Sequence, residues 1–275
     1  MKTWFITGIS RGLGQALAKA ALLRGDVVVG TVRDSAPDIA VGNGTLRVLK
    51  LDIADAASIT TAVEAAFAVT GRIDVLVNNA GYGLLGAIEE AEDADVEQLF
   101  AVNVFGPFRV IRAALPRLRL QRAGHIISIT SIAGRAPMAS SGMYAAAKSA
   151  IEGMSQSLSQ EVASFGLKVT AVAPGGFRTD FLSGHSIRRS RGADVYADSV
   201  GKALAHLDEI AGRQRGDPAR AAEAILKIVD APVPPLHLLL GSDALQRVRV
   251  KLDAMIEEMD RWEEVTRSTD FPEGT

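Results

Sequence analysis

Apolar positions along this chain fall into short β-branched or aliphatic runs separated by longer stretches of helical spacing. Residues 4–6 form a compact apolar run, and 27–32 (Val-Val-Val-Gly-Thr-Val) is apolar on both faces, as a strand covered on both sides should be. Further strand patterns lie at 46–51, 73–77, 125–129, 168–173 and 236–240. Helical periodicity covers 15–24, 56–70, 91–102, 105–122, 141–165, 217–229 and 243–266. Gly25 and Gly71 are stop signals, Ser58 is a candidate cap for 56–70, and Asp217 with Pro218 opens the helix that follows. Pro107 or Pro116 is expected to bend the 105–122 helix. Residues 35–45 read as a loop. The stretch 176–216 has no single period; a segment that long suits a lid or binding element with short helices of its own.

Strands alternating with helices specify an α/β fold, a parallel sheet covered on both faces, because each parallel crossover needs a connecting helix. No linker, repeat or low-complexity tract divides the chain, so residues 1–275 read as one domain, with a lid at 176–216 and a C-terminal helix and tail at 243–275. In such sheets ligands bind beyond the carboxyl ends of the strands. Polar or glycine-bearing residues stand at six of these ends: Gly8 to Gly14, Arg33, Asp52, Asn78 to Gly81, Ser131, and Pro174-Gly175.

Composition narrows the chemistry. Net charge is −2 with both signs interspersed, which gives no broad field for nucleic acid or an anionic membrane. There is no cysteine, excluding disulfides and thiolate catalysis, and the four histidines are far apart, so no metal site is expected. Met1 and Lys2 run straight into the first strand, and no uninterrupted apolar run approaches membrane-spanning length, so a cytoplasmic protein is expected.

Gly8, Gly12 and Gly14 lie between the first strand and its helix. Such a turn lets backbone approach a nucleotide pyrophosphate at a helix N-terminus, although the spacing alone equally suits an ordinary strand-to-helix turn. Tyr144 and Lys148, four residues apart, share one helix face. A phenol titrates near 10, and a cation within roughly 4–6 Å would lower that value, which makes the pair a candidate general acid/base. By itself, a solvated helix face explains the same spacing.

Together these pieces resemble the short-chain dehydrogenase/reductase family over about residues 3–242: Thr-Gly-x3-Gly-x-Gly at 7–14, Asn-Asn-Ala-Gly at 78–81, Asn103, Ser131, Tyr-x3-Lys at 144–148, and Pro-Gly at 174–175 with Thr179 beyond. The resemblance implies a doubly wound, Rossmann-like, seven-stranded sheet of order 3-2-1-4-5-6-7. It also implies hydride transfer between a nicotinamide cofactor and a carbonyl or alcohol. Tyr144 would be the acid/base and Ser131 would orient the substrate oxygen; Lys148 would contact the nicotinamide ribose and depress the Tyr144 pKa. Asn103 would hold a water linking Lys148 to solvent. Gly8, Ser10, Arg11, Gly12, Leu13, Gly14, Ala80, Gly81, Pro174, Gly175 and Thr179 are the remaining cofactor positions of the glycine turn and strand ends. Asn79 would support the sheet near the cofactor, and Asp52 with Ile53 would meet the adenine, although Asp52 also suits a capping role. Position 32 is Val, not an acid, and Arg11 and Arg33 suit a 2′-phosphate, so NADP(H) is expected over NAD(H), with Asp34 as the opposing feature.

Tyr82, Leu84, residues 133–138, Met143 and Phe177 should line a substrate pocket, mostly apolar; Arg135 or Arg178 could instead receive an acid. The resemblance implies a homodimer or homotetramer paired through helices 91–122 and 141–165. The C-terminal helix could cap the pocket, join subunits or be solvated, and its many charges favour solvation. A non-catalytic NADP sensor or scaffold, and an epimerase or dehydratase, are the competing readings.

Overall fold

The computed structural model describes residues 1–34, 37–184, 186–192 and 194–271. His185, the end of the predicted tail and two residues of the 35–45 loop lie outside them. Among the described residues nine strands form: β1 Thr3–Ile6, β2 Val27–Val32, β3 Thr45–Lys50, β4 Val75–Asn78, β5 Gly83–Leu85, β6 Gly124–Ile129, β7 Leu167–Pro174, β8 Ile187–Arg189 and β9 His237–Leu240. Seven of them make one parallel sheet in the order β3-β2-β1-β4-β6-β7-β9. That is the expected order; the numbers differ because β5 and β8, which pair parallel as a separate two-stranded sheet, have no pattern of their own in the sequence.

The helices are α1 Gly12–Leu23, α2 Ala56–Thr70, α3 Asp93–Phe100, α4 Gly106–Gln121, α5 Gly142–Val162, α6 Lys202–Ile210, α7 Pro218–Asp230, α8 Ser242–Arg261 and α9 Glu263–Arg267. Alternation along each strand sends side chains to two cores. Trp4, Ile6 and Val28 pack under α1 and α7 with Leu17, Leu22 and Ile225. Phe5, Val29 and Leu76 pack under α2, α4 and α5 with Ile59, Val110 and Leu158.

Three local expectations change. Asp55, not Ser58, caps α2, accepting from Ala57 N at 2.9 Å, while the Ser58 hydroxyl accepts from Asp52 N at 3.0 Å. The predicted helices 91–102 and 105–122 fuse through a π turn, Ala101–Phe105; Pro107 then sits in the first turn of α4, and Pro116 is accommodated inside it. The helix predicted over 243–266 divides at Trp262 into α8 and α9. By length and composition Asp93–Gln121 could cross a membrane, yet its Leu99, Val110, Ala114 and Leu118 are buried in the core.

Candidate cofactor cleft and active site

At the carboxyl ends of the sheet strands lies a cleft of about 910 Å³. Gly8 and Gly12 turn the chain into it with φ of 74° and 60°, the left-handed region where a side chain is strained. A Cβ on Gly14 would collide with the Asn79 side chain and the Gly8 carbonyl, so the third glycine serves close packing. Asn79 Nδ2 donates to the Thr7 and Gly8 carbonyls, both at 2.9 Å, and the Thr7 hydroxyl accepts from the Asn79 and Ala80 amides at 3.0 and 3.1 Å. These bonds lock the turn to the end of β4.

Among the described residues no side chain caps α1, and its first turn holds no acid. Gly12 and Leu13 at its start line the cleft, and the free N–H groups of a helix start without a side-chain cap suit a pyrophosphate. This cradle fits a dinucleotide. Farther along, Val32, Arg33, Asp52 and Ile53 line the same cleft. Arg33 Nε lies 3.1 Å from Asp34 Oδ2, both side chains being strongly exposed, so the carboxylate partly offsets the guanidinium. Asp52 accepts from Ala54 N at 2.9 Å and thus shapes its own turn while lining the cleft.

The inner wall carries the reactive groups. Ser131 follows β6, and its hydroxyl accepts from Ala133 N at 3.1 Å. Tyr144 and Lys148 stand one turn apart on α5, both buried. Burial pushes the Tyr144 phenol up to about 12, against a smaller lowering by its hydrogen bond with Ser131. The net shift is upward, not the downward one expected beside Lys148, whose Nζ donates to the Ile129 carbonyl at 3.0 Å and sits over the Tyr144 ring. Burial brings Lys148 itself down to about 8, with Glu152 pulling the other way.

Asn103 sits in the π turn, a distortion common at functional sites. Its Oδ1 accepts from Tyr82 N at 3.1 Å and its Nδ2 donates to Tyr82 O at 2.8 Å, so the side chain clamps the loop after β4. Four residues on stands Pro107, which has no N–H, so the Asn103 carbonyl lacks the usual α-helical donor.

A family model for the short chain dehydrogenases matches residues 2–189. The chain belongs to the short-chain dehydrogenase family. Its relatives include an oxidoreductase of Botryotinia fuckeliana, BOA17, 37% identical over 269 residues, 96% of this chain and 98% of that one. Among solved structures, a short-chain dehydrogenase from Streptomyces avermitilis superposes with a TM-score of 0.89 at 38% identity, covering 98% of this chain and all of the other. ElxO, with NADP bound, is similar at TM-score 0.75 and 25% identity over 90% of this chain and all of its own. The fold also matches a short-chain dehydrogenase from Burkholderia phymatum in complex with NAD, at TM-score 0.78 and 21% identity, covering 100% of this chain and 98% of that one.

This short-chain dehydrogenase gathers most of the sequence-predicted positions on one cleft. Of the catalytic and cofactor positions, Gly14 and Asn103 stay behind its walls, as packing and clamping residues, and of the expected pocket positions Leu84, residues 134–137 and Met143 do not line it. Thr179 faces Gly12 and accepts from Phe181 N at 3.3 Å. Arg135 does not reach the pocket: it pairs with Glu152 at 3.0 Å and donates to the Ala171 carbonyl. Arg178 is turned to the Gln214 carbonyl, and Leu85, not the buried Leu84, lines the cleft. The segment after β7 is held by the β5–β8 pairing and by Arg188 to Asp95 at 2.7 Å. It brings Phe181, Leu182, Ile187, Leu207 and Ile210 to the cleft, an apolar set whose positions no sequence period marked.

The sequence also missed Asp243 and Glu152. Asp243, at the start of α8, accepts from Gly176 N at 2.8 Å and lines the cleft, so the C-terminal helix is not wholly solvated. Nothing local announces this contact between segments distant in sequence. Glu152, buried one turn beyond Lys148, is hydrogen-bonded by the Thr130 hydroxyl, and its spacing from Lys148 was the available signal.

Proposed function

We propose that this chain is an NADP-preferring reductase of apolar aldehydes or ketones, or a dehydrogenase of the matching secondary alcohols. The reading is carried by Tyr144, Ser131 and Lys148 converging on the wall of the cleft that also receives the uncapped N-terminus of α1. The glycine turn and α1 would hold the pyrophosphate, Arg11 and Arg33 the 2′-phosphate, and Lys148 the nicotinamide ribose. When bound, the cofactor supplies or accepts the hydride. In reduction, Tyr144 gives its phenolic proton to the carbonyl oxygen as negative charge develops there, and Ser131 fixes that oxygen by a hydrogen bond. Lys148 contributes positive charge beside the tyrosine, and the Asn103 carbonyl, lacking its helical donor, is suited to hold a water on a proton path from Lys148. An apolar substrate is favoured by the lid residues Phe181, Leu182 and Leu207. The absence of an acid at position 32 and the NADP bound by the similar ElxO support the cofactor preference. The protein would work in the cytoplasm as a homo-oligomer.

The test follows NADPH oxidation by the wild type, Tyr144→Phe and Val32→Asp across aldehydes, ketones and quinones, with NADH as the alternative donor. Expected are turnover with NADPH, its loss by about 10²–10⁴-fold in Tyr144→Phe with NADPH binding retained, and a shift towards NADH in Val32→Asp. Tight NADPH binding without turnover on any substrate would point to a sensor, and faster turnover of the wild type with NADH would overturn the 2′-phosphate assignment.

A further inference from the structure

Tyr144, Lys148 and Glu152 follow one another at four-residue intervals along one face of α5, and all are buried. Consecutive residues at the end of β6 hold them one by one. Ser131 is hydrogen-bonded with the Tyr144 phenol, the Ile129 carbonyl accepts from Lys148 Nζ at 3.0 Å, and the Thr130 hydroxyl donates to Glu152 Oε1. The Val172 carbonyl, 2.9 Å from that hydroxyl, already accepts from Thr130 N at 2.7 Å, which leaves the hydroxyl proton for Glu152. Tyr144 and Lys148 line the cleft, whereas Glu152 lies behind its wall.

Behind the wall the other carboxylate oxygen of Glu152 meets Arg135 at 3.0 Å and, from β9, His237 Nδ1 at 3.5 Å. Arg135 is held by the Ala171 carbonyl, and Gln156, one turn beyond Glu152, lies 3.1 Å from His237 Nε2. A buried ion pair is a weak source of stability, because well-packed apolar side chains in its place often serve as well. What they could not supply is a negative charge one turn from Lys148. Burial works against the Lys148 ammonium, and among the described residues Glu152 is the charge that works for it. Arg135 draws on the same carboxylate from the other side, so two cations compete for one anion.

We propose that Glu152 is a positioning residue for the reaction: through Thr130 it fixes the 129–131 segment against α5, and its charge keeps Lys148 an ammonium, with Arg135 limiting how much of that charge Lys148 feels. The proposal rests on the role given to Lys148 in the proposed reaction. Glu152 itself does not line the cleft.

The Lys148 charge can be followed without cofactor or substrate. In the full-length protein carrying isotopically labelled lysine, the Cε resonance of Lys148, assigned by its loss in Lys148→Arg, titrates with the ammonium. Glu152→Gln keeps the size of the side chain and an acceptor for Thr130 but removes the charge, and should move this titration down by about one pH unit. Arg135→Gln releases the carboxylate from its other cation and should move the titration up. Glu152→Asp keeps the charge and should titrate nearer the wild type than Glu152→Gln does. With NADPH and a carbonyl substrate, the alkaline limb of kcat/KM should shift in the same direction as the resonance in each variant. A merely structural role would leave the Lys148 titration in place, or would move it the same way in Glu152→Gln and Arg135→Gln; either result would overturn the proposal. Resonances that move as expected beside an unmoved kcat/KM limb would overturn the role of Lys148 in the reaction, while its coupling to Glu152 would stand.

Discussion

The Lys148 ammonium stands 5.8 Å from the centroid of the Tyr144 ring. Burial acts on the two groups in opposite chemical senses: it raises the phenol to about 12 and lowers the ammonium to about 8, because each loses the solvation of its charged form. Across the neutral range the tyrosine therefore keeps its proton, as a donor should, and the lysine is the member of the pair whose charge changes.

A base with a pKa of about 8 is protonated below that pH and neutral above it. If the Lys148 charge supports reduction, kcat/KM should fall as pH rises through about 8. Lys148→Arg, whose guanidinium stays charged, should lower kcat but remove that alkaline limb. A limb unchanged in the arginine variant would show that another group titrates.

Asn103 makes both of its side-chain bonds to the Tyr82 backbone. Asn103→Ala leaves the Tyr82 amide and carbonyl without these partners, and should destabilise the fold by about 1–3 kcal/mol as read from the denaturant midpoint. The loop after β4 lines the cleft, so kcat should drop by up to about 10²-fold from lost positioning. Full activity with reduced stability would confine the residue to the scaffold.

His125 is buried on β6, its Nε2 2.8 Å from the Thr170 hydroxyl. Burial first, then the charges of Lys168 and Lys2, bring its pKa down from 6.5 to about 4. Between those values the unfolded chain binds the proton that the folded chain refuses, so stability should fall as pH drops through this window. The loss is about 3 kcal/mol at most. Unfolding free energies measured from pH 4 to 7 should show this slope in the wild type and a flatter one in His125→Gln. Identical slopes would exclude His125 as the source.

Much of this protein was written in its local sequence. The β-branched run at Val27–Val32, the glycine turn at Gly8 to Gly14 and the helix face that places Tyr144 a turn from Lys148 depend on backbone sterics and periodicity. These act over a few residues and survive without tertiary context. Strands alternating with helices also limited the sheet to a parallel one, and the motifs at strand ends located the cleft before any coordinate did.

What tertiary structure decided is what depends on burial and on residues distant in the chain. The direction of the Tyr144 shift could not be read from its spacing to Lys148, because it is set by the solvent excluded around both groups. The π turn that carries Asn103 looked like a break between two helices, since periodicity does not register one added residue held by a clamp on Tyr82. Arg135 was withdrawn from the pocket by Glu152 and Ala171, and Asp243 was brought to Gly176 from the far end of the chain. The strands β5 and β8 are too short to carry a pattern and form only because each finds the other. Local sterics reach a few residues, whereas burial, charge pairing and pairing between segments far apart in the chain are settled only when the chain closes on itself.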